Sequence, residues 1–277
     1  MSVPPFPGHL SVGHARKVYP TRHGDVVAVD DCSIDVPPGQ FCAIVGPSGC
    51  GKTTLMNAVA GFDTLSGGEI RLDGRIVNGP GRKPVPGPDR LVVFQHGALF
   101  PWATVRENLI RGPVVRGLMS AAEAEKQAGA LLGRVGLRDV FDSYPGALSS
   151  GMARRVEIVR ALLNEPSVIL LDEPFRGLDT ASKAATHDCL LDLYESRPRT
   201  VLLITHDLDE ALFLADRVVV MTTRPGRVKV ELEVDLPRPR GRHLLTAPEF
   251  LGLKARLIEA VHEEAVKAFA AGERELA

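Results

Sequence analysis

Apolar residues along this chain fall into two arrangements. Short runs closed off by glycine, proline or charge, namely Phe41–Val45, Leu91–Phe94, Val168–Leu171, Val201–Ile204 and Val218–Thr222, read as strands buried on both faces. Between them apolar positions recur every three or four residues, which predicts helices over Ala121–Val135, Met152–Asn164, Ala181–Tyr194 and Leu208–Leu214, with a shorter one over Val105–Ile110. Strands alternating with helices of this length imply an α/β fold with a parallel sheet covered on both faces.

Other segments break that alternation. Ser11–Tyr19, Ala28–Val36 and a hairpin of Glu69–Leu72 with Arg75–Val77 around Asp73-Gly74 predict an antiparallel edge. Gly79 to Asp89 is dense in glycine and proline and reads as loop. From about 96 to 155 strand signals vanish, which predicts a helical insertion. After a last strand at Val228–Val234, Leu236–Gly241 reads as an extended linker, and Pro248 to about Arg274 as an added amphipathic helix. The expected division is a main domain over 1–240 and a C-terminal helical extension over 241–277, too short to hold a core of its own.

Composition narrows the class. With 277 residues, 44% hydrophobic and 24% charged, the chain can bury one large core or two modest ones. A net charge of −1 leaves no overall field for nucleic acid or an anionic bilayer. Cys32, Cys42, Cys50 and Cys189 lie far apart without a C-x-x-C pair, against a zinc site or a disulfide scaffold. No apolar run reaches the ~18 residues of a membrane span, and the start lacks the pattern of a signal peptide. Any service to a membrane is expected to run through partners.

The chemistry begins after Phe41–Val45. Gly46, Pro47, Ser48, Gly49, Cys50, Gly51, Lys52, Thr53 and Thr54 form a glycine-rich loop ahead of a helix. Its glycines let successive N–H groups converge on one anion, and the helix adds its positive end. Lys52 is expected to bridge the β- and γ-phosphates of ATP, and the Thr53 hydroxyl to ligate Mg²⁺. Asp172 and Glu173 follow Val168–Leu171 at the carboxyl edge of the sheet, Asp172 as a second Mg²⁺ anchor and Glu173 as a base for the attacking water. Cys50 reads as a small residue whose alkylation ATP should slow.

Leu148, Ser149, Ser150, Gly151 and Met152, with the helix they open, resemble the signature motif of ATP-binding cassette proteins. The resemblance runs from Tyr19 to Arg227 with the motifs in family order. It implies a P-loop, RecA-like core with an antiparallel β edge and an inserted α-helical subdomain. It further implies that Tyr19 stacks on adenine, that Gln95 reaches Mg²⁺ and the lytic water, that Asp179 lies on a loop crossing a dimer interface, and that His206 contacts the γ-phosphate. The signature segment is then expected to cap ATP held by a second copy. Alone, Tyr19 reads as a half-buried strand residue and His206 as a turn residue; their common order carries the assignment.

Three positions depart from the family pattern. Ser150 stands where glycine is usual, and its side chain is expected to crowd the partner's γ-phosphate or restrict the backbone. Arg176 replaces a small residue and is expected to be solvated or to pair with an acidic group on a partner. His96 follows Gln95 where an acidic residue is frequent.

Ala98–Trp102, Met152, Thr223–Arg227 and Leu236–Arg240 look like the nitrate, sulfonate and taurine importer branch. The resemblance implies a homodimer at the cytoplasmic face of a bacterial inner membrane, serving permease subunits and a periplasmic or lipid-anchored solute-binding protein, with no role for nucleic acid. Two other readings stay open: a soluble cassette ATPase of repair, translation or cluster assembly, and a regulatory cassette that clamps ATP with weak hydrolysis.

Overall fold

The computed structural model describes residues 7–22 and 24–270. Two sheets organise them. Strands β1 (Leu10–Thr21), β2 (Gly24–Val36), β4 (Gly67–Leu72) and β5 (Arg75–Asn78) form an antiparallel sheet in the order β2-β1-β4-β5. A six-stranded sheet has the order β10-β9-β3-β8-β7-β6, built from β3 (Phe41–Val45), β6 (Arg90–Val93), β7 (Val168–Asp172), β8 (Thr200–Ile204), β9 (Arg217–Met221) and β10 (Val228–Glu233). Its pairings are parallel except β10 with β9.

The unbroken apolar runs are explained by burial on both sides. Phe41, Ala43 and Val45 of β3 enter a core shared with the helices, while Cys42 and Ile44 enter a second core under the antiparallel sheet. The strands β7, β8 and β9 alternate in the same way, so every position of the run is covered.

Helix α1 (Lys52–Ala60) follows β3. Helices α2 (Val105–Val115), α3 (Ala121–Arg134) and the start of α4 (Ser150–Leu163) form the inserted helical region. A capping box starts α2: Thr104 Oγ1 accepts from the Glu107 N–H and Glu107 Oε2 from the Thr104 N–H. This helix runs past Ile110, where the sequence pattern ended it, through Gly112 and Pro113. A Cβ at Gly112 would lie 2.2 Å from Asn164 Oδ1, so close packing on α4 explains the glycine. Helices α5 (Thr180–Ser196) and α6 (Leu208–Leu214) complete the alternation.

The segment read as a linker is bound to the body of the protein. Arg240, buried, donates to the carbonyls of Leu212 and Ala215 at 3.1 and 2.6 Å, closing the C-terminal end of α6, and Arg238 pairs with Asp216 at 2.7 Å. The final helix, α7 (Pro248–Ala270), buries Phe250 and Leu257 in the helix-side core. The expected continuation of that helix to Arg274 lies outside the described residues.

Candidate functional site

Glycine and lysine shape the loop after β3. Gly51 takes a φ of 97° just before α1, and a Cβ there would lie 2.7 Å from the Ala28 carbonyl oxygen, so the turn requires glycine. Inside the loop Lys52 is buried, its Nζ donating to the Gly46 and Pro47 carbonyls at 2.8 Å each. Cys50 is buried as well, with Sγ 3.5 Å from Lys52 Nζ. Burial pushes its thiol up, against the pull of that ammonium.

The parallel strands bring distant residues to the same edge. Thr53 Oγ1 lies 3.5 Å from Asp172 Oδ1, at the end of β7. Burial raises the Asp172 carboxyl above its ordinary value and the Glu173 charge adds to this, while the Thr53 hydrogen bond and Lys52 oppose it. Glu173 takes a φ of 42°, a left-handed conformation that costs about 1–2 kcal/mol for a residue with a side chain. Its N–H donates to the Ile204 carbonyl at 2.9 Å, which ties β7 to β8 just before His206. His206 Nδ1 is 3.5 Å from Glu173 Oε2.

A cleft of about 480 Å³ gathers Tyr19, Ser48, Gly49, Gly51, Lys52, Thr53, Thr54, Gln95, Glu173 and His206. Gly46, Pro47 and Cys50 belong to the loop behind it, and Asp172 reaches it through Thr53. At its mouth the Tyr19 ring lies under Lys17 Nζ at 4.6 Å, and its hydroxyl donates to Asp63 at 2.8 Å. Burial raises the Asp63 carboxyl, but hydrogen bonds from Lys17 and Tyr19 outweigh it and hold it below its ordinary value. Val26, Ala28 and Arg224 line the same cleft without having been singled out as site residues; for Arg224 the signal was its place in Thr223–Arg227, used only as a branch marker.

Arg176 is more than half exposed, as the solvated reading expected, and its Nη1 lies 3.2 Å from Glu173 Oε2 at the edge of its own chain's cleft.

Leu148, Ser149, Ser150, Gly151, Met152 and Asp179 do not line the cleft. Ser149 caps α4 by accepting from the Met152 N–H at 3.3 Å, and Asp179 caps α5 by accepting from the Ser182 N–H at 3.0 Å. The two helix starts touch, since a Cβ on Gly151 would lie 2.9 Å from Ser182 Cβ. Ser150 is the first helical residue of α4 and exposed.

Glycine loop, paired carboxylates, glutamine and histidine at one sheet edge, with a separate serine-glycine helix start, form one pattern. The sequence matches the ABC transporter family over residues 29–176. The chain is an ABC transporter ATPase.

The cassette is 42% identical to a nitrate import ATP-binding protein of Synechocystis over 83% of this chain and 84% of that one. To a bicarbonate transport ATP-binding protein of the same genus it is 41% identical, over 88% of this chain and 86% of that one. Its fold matches the dimeric structure of a bacterial ABC transporter cassette with a TM-score of 0.70 and 28% identity, covering 82% of this chain and all of the other. The same cassette solved in a post-hydrolysis state with ADP and Pi matches with a TM-score of 0.68 and 27% identity.

The side chains at this edge suit a small hard cation, since Thr53 hydroxyl, Asp172 carboxylate and Gln95 amide each offer an oxygen donor. Among the described residues no group of three or more His, Cys, Asp or Glu could hold a metal ion.

Proposed function

We propose that this cassette is one half of a homodimer that hydrolyses ATP to drive import of a small anion, of the nitrate or bicarbonate kind, through a membrane permease. The observation that carries the reading is the separation of its parts. Lys52, Glu173 and His206 face one cleft, whereas the exposed Ser149, Ser150 and Asp179 lie outside it, on two helix starts that meet at Gly151 and Ser182. An ATP laid in the cleft would therefore be capped only by the signature segment of a second copy, using hydroxyl, N–H groups and the positive end of α4.

In this mechanism the loop N–H groups and Lys52 bind the phosphates, and Tyr19 stacks on the base. Thr53, Asp172 and Gln95 would hold Mg²⁺, which supplies charge neutralisation at the phosphates. Glu173 takes a proton from water as its oxygen bonds to the γ-phosphorus and the bond to the β–γ bridging oxygen breaks, giving ADP and phosphate. His206 holds the γ-phosphate.

A surface for the permease supports the importer reading. A groove of about 600 Å³ beside α2 and α4 is lined by Phe94, Phe100, Arg111 and Arg160, and Trp102, 70% exposed, stacks on Phe100 nearby. Apolar exposure of this kind marks interaction sites. No helix among the described residues is long and apolar enough to cross a membrane, in keeping with a peripheral subunit at the cytoplasmic face. A solute-binding protein, periplasmic or lipid-anchored, would deliver the cargo.

Phosphate release by the purified chain, with Lys52→Ala as control, tests the chemistry, and co-purification with a polytopic membrane protein tests the role. Turnover lost in Lys52→Ala and capture of a permease are expected. ATPase activity with no membrane partner would favour a soluble cassette.

A further inference from the structure

Arg199 stands just before β8, at the end of that strand away from His206, and is 7% exposed. Its side chain lines a cavity of about 280 Å³ between the C-terminal ends of α3, α4 and α5, a space that shares no lining residue with the nucleotide cleft. Two other arginines stand at this cavity, and both are engaged. Arg134 donates to Asp192 Oδ2 at 2.7 Å and to Ser196 Oγ at 3.0 Å, and Arg197 donates to Glu165 Oε1 at 2.8 Å. Arg199 makes no hydrogen bond or ion pair among the described residues. Burial and the Arg197 charge lower its guanidinium below its ordinary value, and Glu165 opposes them. An arginine nonetheless stays charged at neutral pH.

We propose that this cavity is a second binding site, for a small organic monocarboxylate whose carboxylate pairs with Arg199. A buried charge without a counter-charge is costly, and the planar guanidinium offers two parallel N–H donors that match the two oxygens of a carboxylate. The charge count favours a monoanion: Asp192 and Glu165 neutralise Arg134 and Arg197, which leaves the charge of Arg199 over. Leu131, Leu162, Leu163 and Leu193 make much of the remaining wall apolar, a surface that an acyl or aryl body would cover. Such a ligand would touch α3 of the inserted helical region on one side, and α5 with the residue before β8 on the other. Because β8 runs parallel to β3, this site lies at the sheet edge opposite the phosphate loop.

Calorimetric titration of the full-length chain with hexanoate tests this, with sulfate as an anion that lacks an apolar body. Hexanoate should bind saturably with a Kd of about 1 mM or tighter, and sulfate at least about tenfold more weakly. Arg199→Gln should weaken hexanoate binding at least about tenfold, the loss of one charge-assisted pair, and Arg199→Lys by less, because the charge stays while the fork is lost. Lys52→Ala should leave hexanoate binding unchanged. Without ligand, Arg199→Gln should melt no lower than the parent, since no internal partner loses a contact. Absence of saturable binding up to about 10 mM, or equal binding by the parent and Arg199→Gln, overturns the proposal. So does sulfate binding as tightly as hexanoate, which would make the cavity a plain anion site, or loss of binding in Lys52→Ala, which would put hexanoate in the nucleotide cleft. A lower melting temperature for Arg199→Gln would show a structural arginine and overturn it as well.

Discussion

Arg154 Nη2 donates to the main-chain carbonyl of Gln95 at 2.7 Å. The helix opened by the signature segment therefore grips the loop that carries a cleft residue. Its Nη1 also holds the Phe94 carbonyl at 2.5 Å and Glu157 Oε2 at 2.7 Å, and Glu157 Oε1 accepts from the Ala98 N–H. Both side chains are more than nine-tenths buried. A shift of α4 against a partner would thus be felt at Gln95 through two charge-assisted contacts.

Removing one member of that pair strands the other. Arg154→Ala should lower the unfolding free energy by about 3–5 kcal/mol, since Glu157 and two carbonyls lose their partner inside the protein. Replacing both with leucine should cost less than the sum of the single changes, a coupling of at least about 1 kcal/mol. Urea titration of Arg154→Leu, Glu157→Leu and the double variant measures it. Additive losses would mean that the pair is not a unit.

Ser150 supports a kinetic prediction. Its exposed position at the start of α4 leaves its side chain facing whatever approaches that helix end. Ser150→Gly should hydrolyse ATP at least twice as fast as the parent, about 0.4 kcal/mol off the barrier. Equal turnover would remove crowding as an explanation.

Acid sensitivity follows from the network beneath His206. Glu210, 5% exposed, lies 2.5 Å from Lys183 and accepts from Thr205 Oγ1 at 2.6 Å, with His187 3.6 Å away. Burial alone would raise its carboxyl, but these partners outweigh burial and hold it below its ordinary 4.5. Such a group stabilises the fold fully above its unfolded value and loses that contribution as pH falls through the lower folded value. Thermal melts should therefore decline below about pH 4.5, where the unfolded carboxylate starts to take up protons. Glu210→Gln should lower stability at pH 7 by about 2 kcal/mol and flatten the acid decline. An unchanged acid limb would contradict the assignment.

Much of this was legible in the chain because each feature is local. Apolar runs such as Val168–Leu171 announce buried strands, and the Gly46–Thr54 loop carries its geometry in its glycines. What escaped depends on contacts between distant segments. Arg154 and Glu157 have the i, i+3 spacing of a solvated surface pair, and only the packing of α4 on the 94–98 segment buries them. Arg238 and Arg240 sit among prolines that suggest a free linker, yet their guanidinium groups reach Asp216 and the end of α6. The pairing of Arg176 with Glu173 escaped because the turn that brings them together depends on a left-handed φ at a residue with a side chain, which no pattern of polarity encodes.

The most direct measurement is the mass of a Glu173→Gln variant in solution. With saturating Mg-ATP it should run at twice the monomer mass, and with ADP as a monomer. A strictly monomeric variant at every ATP concentration, also in the presence of its permease, would contradict a pocket completed by two copies.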